Sequence, residues 1–292
     1  MEEAHILDPN TFSVLTEKAP NDPHVHMILG NALSMSIITP DNFRRAIEEY
    51  DKAIALNPNI ASVYVNRGLA RYAAVEPTKE VPMWMITREN MPEEFVRGAE
   101  LAVKDFDTAI KLNPRLFSAY FDKGVLVKYL GRERESIPLF KKAIEIGLKN
   151  KSRSFPTVGN EDDVEFVGTG HPMMAISDFR RFVVDRRVSI EKKEGKIVIF
   201  NPNTVYVSNE NDPVALAYYH MGTAYASANL RDYSPALDCF AQAVKLNPGM
   251  PFLYSTRWII YRGNGETDKL DGEISLYKET AAKINRIKDA VE

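Results

Sequence analysis

The chain repeats one pattern of apolar positions at helical spacing. In each copy an alanine is followed four residues later by an aromatic side chain and seven residues later by a second alanine, and Leu-Asn-Pro ends the segment. Three segments carry the full pattern, and a weaker fourth begins with serine and lacks the proline: 46–58, 102–114, 236–248 and then 136–148. Small side chains let a neighbouring helix approach, the aromatic fills the remaining space, and Asn-Pro ends the helix. The pattern therefore predicts four amphipathic helices.

A second amphipathic helix is predicted before each copy, with a glycine on its packing face. The four glycines are Gly30, Gly68, Gly124 and Gly222. A tyrosine stands four residues before three of them, and His26 takes that position in the first. Glycine inside a helix costs about 0.5–1 kcal/mol relative to alanine. Its recurrence at one position therefore predicts close contact with another helix.

Together the two helices form a unit that resembles the tetratricopeptide-repeat (TPR) family. That family repeats an aromatic, a glycine, two alanines, an aromatic and a proline with a period of about 34 residues. The resemblance covers roughly 21–150 and 213–250, and it implies an all-α solenoid of helical hairpins wound as a right-handed superhelix. The expected order is an N-terminal segment, three units, an insert, a fourth unit, and a degenerate fifth unit with a C-terminal capping helix: 1–20, 21–150, 151–212, 213–250 and 251–292.

A loop insertion at 76–94 interrupts the second unit, and its prolines exclude a continuous helix. Met83, Trp84 and Met85 make it a possible contact loop, because exposed tryptophan and methionine side chains form an adaptable surface. The sequence is equally compatible with a loop that folds these side chains back onto the solenoid.

The insert at 151–212 is too long for a structureless connection inside a compact protein. A short helix is expected at 172–184. The following β-forming segments, 187–191, 196–200 and 204–207, are separated by turn signals and predict a small β-meander. The insert is therefore expected to fold and to pack on the solenoid.

Composition narrows the class of protein. Thirty-seven basic and forty acidic residues leave a net charge of −3, which gives no concentrated positive field for a nucleic acid. No apolar run approaches the roughly 20 residues of a membrane span. The single cysteine, Cys239, cannot form an intramolecular disulfide, which fits a reducing compartment. We expect a cytoplasmic protein with no membrane insertion and no nucleic-acid partner.

Neither catalytic residues nor a metal or cofactor site is expected. His24 and His26 are two residues apart, whereas a chelating pair on a helix needs a spacing of four. Cys239 adjoins the apolar Phe240, and no general base stands at a recognisable spacing from it.

The resemblance also implies a partner-binding groove, because the first helix of each TPR unit lines a concave surface that binds peptides. The corresponding positions here are Met27, Asn31, Asn66, Leu69, Tyr72, Phe121, Asp122, Val125, Lys128, Tyr129, Tyr219 and His220. One TPR subfamily clamps the C-terminal carboxylate of heat-shock chaperones with cations and two asparagines. Asn31 and Asn66 match those asparagines, but Met27, Ser118 and Asp122 replace the cations, so we expect no such clamp.

The groove that remains is apolar and aromatic, with little charge, and suits an amphipathic or extended apolar segment. The predicted function is a non-catalytic scaffold that binds a partner polypeptide. Two alternatives stay open: a peptide-binding co-chaperone or targeting receptor, and an enzyme or ligand regulator with a site at 151–212. The insert is also a possible occupant of the groove.

Overall fold

The structure of the protein is a computed structural model. It describes residues 17, 19–35, 40–74, 91–151, 189–193, 196–200 and 213–247, and short stretches between 256 and 279. Its helices are α1 (Pro23–Met35), α2 (Pro40–Leu56), α3 (Ala61–Ala73), α4 (Glu93–Leu112), α5 (Phe117–Tyr129), α6 (Glu133–Lys151), α7 (Pro213–Tyr225) and α8 (Tyr233–Leu246). Two strands, β1 (Ser189–Lys193) and β2 (Lys196–Phe200), lie between α6 and α7, and a 3-10 turn spans Thr267–Lys269.

The helices form a row of hairpins. Each helix packs on the next along the chain, and the first helix of every hairpin also contacts the first helix of the following hairpin. The first helices α1, α3, α5 and α7 therefore form one continuous layer. This arrangement is the predicted helical-hairpin solenoid. None of the described helices is long and apolar enough to span a membrane.

The four predicted glycines lie against the aromatic rings of their own hairpins. A Cβ atom at Gly30 would lie 2.5 Å from the Tyr50 ring, and one at Gly68 would lie 2.9 Å from Phe106. The corresponding distances are 2.9 Å for Gly124 to Phe140 and 2.6 Å for Gly222 to Phe240. All four rings are fully buried. The close helix contacts predicted from the sequence are therefore confirmed.

Asn-Pro ends α4 in the predicted manner. Asn113 has an extended backbone, which is the conformation that a following proline favours. Its N–H donates to the Ala109 carbonyl at 2.8 Å, and its side-chain oxygen accepts from the backbone N–H of Arg115 at 3.0 Å. At the end of α2, Asn57 makes the same pair of bonds, to Ala53 and from Asn59. Each asparagine thus forms hydrogen bonds with the backbone on both sides of the turn.

Although 152–212 separates them in sequence, the fourth hairpin stacks directly on the third. A Cβ atom at Gly147 of α6 would lie 2.5 Å from Val214 Cγ2 of α7. Across the same junction, Asn229 Nδ2 donates to both carboxylate oxygens of Glu133 at 2.9 and 3.0 Å. The solenoid is therefore continuous in space from α1 to α8.

Within the insert, β1 and β2 form an antiparallel pair in which Ser189 lies opposite Phe200 and Lys193 opposite Lys196. The predicted three-stranded meander is not supported, because only these two strands occur in the described residues. The helix predicted at 172–184 and the strand predicted at 204–207 lie outside those residues, as do Met83, Trp84 and Met85. Residues 93–94, predicted as loop, form the first turn of α4, where two glutamates favour a helix start.

A buried ion cluster joins three helices in the first half of the solenoid. Asp105 of α4 is only 3% exposed and accepts two bonds from Arg67 of α3, at 2.6 and 3.1 Å. Arg71 adds a third at 2.7 Å, and Arg67 also pairs with Asp51 of α2 at 2.7 Å. Removing the shared carboxylate would leave two guanidinium groups without their buried counter-ion.

We expect Asp105→Asn to lower the free energy of unfolding by about 3–5 kcal/mol, because breaking one side of a buried pair strands the other charge. Asp107→Asn is the matched control: Asp107 pairs with Lys123 at 2.7 Å but is 45% exposed. Its loss should stay within about 1 kcal/mol. Urea unfolding measures both, and equal small losses would contradict the structural role of Asp105.

The glycine contacts yield a second prediction. Gly68→Ala should destabilise the fold by about 1–3 kcal/mol through overpacking against Phe106. Gly263→Ala is the control, since nothing lies within 4 Å of a Cβ atom there, and its stability should change by less than about 1 kcal/mol. Thermal unfolding of both variants tests the contact. A Gly68→Ala variant as stable as the parent would disprove it.

Candidate partner-binding face

The twelve predicted groove residues lie on the layer of first helices, and we call this set the first-helix face. Their accessibility differs widely. Tyr129 is 46% exposed. Six residues are half-buried: Met27, Asn31, Asn66, Leu69, Lys128 and Tyr219. The other five are buried: Tyr72, Phe121, Asp122, Val125 and His220.

Phe121 belongs to the core beneath the face because aromatic rings surround it. It stacks on Phe117 with ring centres 5.6 Å apart and meets the Phe140 ring edge-on at 6.2 Å. His220 of α7 covers it from the next unit at 5.6 Å. Val125, on the same helix, is likewise 0% exposed. These two side chains support the face from below in this structure and do not line its surface.

Tyr72 also lies beneath the surface, where its ring meets Phe95 edge-on at 5.9 Å. Burial, together with the nearby Tyr129 and Asp122 side chains, raises the pKa of Tyr72 well above its ordinary value. Its phenol therefore stays protonated at neutral pH. Asp122 is fully buried on α5, so the one carboxylate predicted for the groove lies below the surface.

In the first two units the face is organised by a pair of amides. Asn31 Oδ1 accepts from Asn66 Nδ2 at 2.8 Å and from the Tyr50 hydroxyl at 2.9 Å. Burial raises the pKa of Tyr50 well above its ordinary value, which keeps this hydroxyl a donor. Asn31 Nδ2 and Asn66 Oδ1 make no hydrogen bond within the described residues. One amide donor and one acceptor thus remain on neighbouring helices, a combination that matches the N–H and C=O groups of an extended peptide backbone.

At the junction of the third and fourth units, Lys128 is the centre of a polar contact. Its ammonium donates to Thr223 Oγ1 at 2.9 Å and to His220 Nδ1 at 3.1 Å. It also lies 5.3 Å from the centre of the Tyr129 ring, within the range of a cation–π interaction. Burial lowers the pKa of Lys128 to about 8, and Glu133 opposes this shift.

Sequence reasoning placed Lys128 in the groove but missed its partners. Thr223 stands 95 residues further along the chain, and no local spacing connects the two. The signal was available only in the repeat register, which predicts that α5 and α7 lie side by side once the insert is looped out.

The described residues contain no group of three or more histidine, cysteine or acidic side chains that could hold a metal ion. Cys239 is buried, and burial raises the pKa of its thiol to about 11. The thiol is therefore protonated at neutral pH, in contrast to a reactive thiolate. The alternative function, an enzyme or ligand regulator, would have its site at 151–212, and most of that segment lies outside the described residues.

Residues 215–250, which begin in α7 and include all of α8, match the family model of the tetratricopeptide repeat. The three other hairpins repeat the glycine–ring contact of this matched unit. The chain therefore contains a tetratricopeptide repeat at 215–250, and its other hairpins follow the pattern that resembles this family.

Several solved structures of other proteins are similar to this chain. A crystal structure of MamA protein has 14% sequence identity to this chain and a TM-score of 0.52, and the match covers 90% of this chain and 94% of the MamA chain. Another MamA crystal structure has 17% identity, coverage of 81% and 85%, and a TM-score of 0.45. TTC0263, a thermophilic TPR protein in Thermus thermophilus, has 14% identity, coverage of 85% of each chain, and a TM-score of 0.46. No curated protein matches the sequence.

The Lys128 contact predicts a pH dependence of stability. The pKa is about 8 in the folded protein against 10.5 ordinarily, so the unfolded chain binds more protons between these values and stability rises with pH across this window. Lys128→Met removes the titration while keeping the side-chain length. The free energy of unfolding of the parent minus that of Lys128→Met should therefore increase from about pH 8 to about pH 10.5. Parallel urea-unfolding profiles would contradict this.

Proposed function

We propose that this protein is a non-catalytic interaction scaffold that binds a segment of a partner polypeptide along its first-helix face. Tetratricopeptide-repeat proteins are typically protein-interaction scaffolds, and the chain contains this repeat. The net charge of −3 favours a protein or peptide partner over a nucleic acid. The proposal goes beyond the family by naming the surface and the shape of the bound segment.

The observation that carries the proposal is that one face combines accessible apolar side chains with unused amide groups. Ile28 of α1, 43% exposed, adjoins the first-helix face next to Met27 and holds the repeat position that Asn66 holds in α3. Tyr129, 46% exposed, lies further along the row of first helices. Between them stand the half-buried Leu69 and the Asn31–Asn66 pair.

These groups suit an extended apolar segment. Its backbone would bond to the remaining amide donor and acceptor, and its side chains would cover Ile28 and Tyr129. Backbone bonds give affinity that is largely independent of sequence, while the apolar contacts select the side chains. Accessible aromatic residues are also the side chains that most often dominate binding energy at interfaces.

The rival surface is the layer of second helices, because Leu101 and Leu112 of α4 are also exposed, at 40% and 38%. These leucines lie on the second helix α4, whereas the amide pair lies on the first helices α1 and α3. They therefore offer apolar contact without backbone recognition, and they provide a matched control.

A displayed library of random peptides, selected against the full chain, supplies a defined probe. We expect Ile28→Ala and Tyr129→Ala to weaken binding of the selected peptides about thirty-fold each, as truncation of an anchor costs about 2 kcal/mol. Both should leave the melting temperature nearly unchanged, because both side chains are exposed. Fluorescence anisotropy and thermal unfolding measure the two quantities on the same samples.

Two further variants calibrate this experiment. Leu112→Ala should change neither affinity nor stability, whereas Phe121→Ala should cost about 3–5 kcal/mol of stability because it empties a core position. Binding that survives both Ile28→Ala and Tyr129→Ala, or a library from which no peptide is enriched, would contradict the proposed function.

A further inference from the structure

We propose that Lys128, on the first-helix face, selects the partner segment by charge, and that this segment carries an acidic side chain that pairs with Lys128. This inference rests on the proposed function and specifies the chemistry of the partner: an apolar extended segment of another protein with a carboxylate among its apolar residues.

Lys128 differs from the other cations of α3 and α5 in what it contacts. Arg67 and Arg71 pair with Asp105, and Lys123 pairs with Asp107. The contacts of Lys128 are neutral oxygen, nitrogen and ring groups, and it forms no ion pair with any described carboxylate. The other three cations therefore have direct ion pairs, whereas Lys128 forms none in the part of the chain described and is influenced by Glu133 only at longer range.

The carboxylates nearest along the chain do not form a direct ion pair with Lys128. Glu133 acts on Lys128 electrostatically, but both of its oxygens accept from Asn229. Asp122 is fully buried on the same helix, and six residues of helix separate it from Lys128 by about 9 Å along the axis. A carboxylate arriving from outside is thus the group that would complete the site.

The surroundings of Lys128 make such a carboxylate favourable. Its ammonium has three N–H donors, of which Thr223 and His220 accept two. The Lys128 residue is half-buried, and burial has already removed much of the hydration of its ammonium. An incoming carboxylate therefore gains a charge-assisted hydrogen bond in a medium of lower dielectric than water. The exposed Tyr129 ring beside it offers apolar contact to the neighbouring partner residues. A basic side chain at the same place would meet a like charge, which gives discrimination.

The test combines peptide selection with a charge-removal cycle. Random displayed peptides are selected at neutral pH against the full chain, and the best binder is resynthesised with its acidic residue replaced by the matching amide. We expect enriched peptides to share an acidic residue among apolar ones. The amide replacement should weaken binding to the parent by about tenfold or more, and it should have almost no effect on binding to Lys128→Met.

Control variants keep the outcome interpretable. Lys123→Met removes a paired lysine from the same helix and should leave the effect of the amide replacement intact. Lys128→Glu should reverse the preference and enrich basic peptides. If that variant does not fold, Lys128→Met alone carries the test, since it introduces no charge.

Two results would overturn the inference: enriched peptides without acidic residues, or an amide replacement that costs the same on the parent and on Lys128→Met. If such peptides still lose affinity on Ile28→Ala and Tyr129→Ala, only the assignment of Lys128 falls and the proposed function stands. Binding that is insensitive to Ile28, Tyr129 and Lys128 removes both.

Discussion

In each of the four described hairpins, a ring from the second helix lies where the first helix has no Cβ atom. The approach is so close that a methyl group at any of the four glycines would fall within 3 Å of a ring carbon, which no ordinary packing allows. This contact sets the spacing of the hairpin. Because the ring fills one side of the first helix, the helix must pack against the next hairpin with its flanks, and its remaining side forms the first-helix face. The position of the face therefore follows from the glycine–ring contact.

The same contact explains why the long insert does not interrupt the solenoid. Each hairpin carries its own glycine and ring, so it needs only its neighbours to stack, as in other repeat proteins. The fourth hairpin meets the third through Gly147 and Val214 and through the Asn229–Glu133 hydrogen bonds. As a result, Lys128 contacts residues of α7. The polar site on the face exists only because two segments that are distant in sequence stack directly.

The sequence was sufficient to predict features that depend on local spacing. The glycines, the rings and the Asn-Pro helix ends all recur at fixed intervals, and the structure places them as expected. Burial on the face could not be predicted in this way. Phe121 and Val125 occupy positions that the family leaves facing a ligand, yet Phe121 is covered by His220 from the next unit. Position within a repeat fixes the direction of a side chain but not what a neighbour places above it.

Hydrogen-bond partners on the face were equally beyond local reasoning. The repeat positions of Asn31 and Asn66 predict that both line the groove. Their mutual hydrogen bond, and the bond that Tyr50 donates to Asn31, depend on how the helices pack and not on local spacing. Similarly, alternating β-formers predicted strands in the insert, and β1 and β2 form a ladder. How many strands pair is a question of long-range contacts, and the third predicted strand, 204–207, lies outside the described residues.

The continuous face and the Lys128 site both require the fourth hairpin to stack directly on the third. A double-mutant cycle between Gly147 and Val214 measures this contact. Gly147→Ala alone should destabilise the protein by about 1–3 kcal/mol, since the new methyl group meets Val214. In a Val214→Ala background most of that loss should disappear, giving a coupling free energy of about 0.5–3 kcal/mol. Losses that simply add in the double variant would contradict the contact, and with it the continuous solenoid.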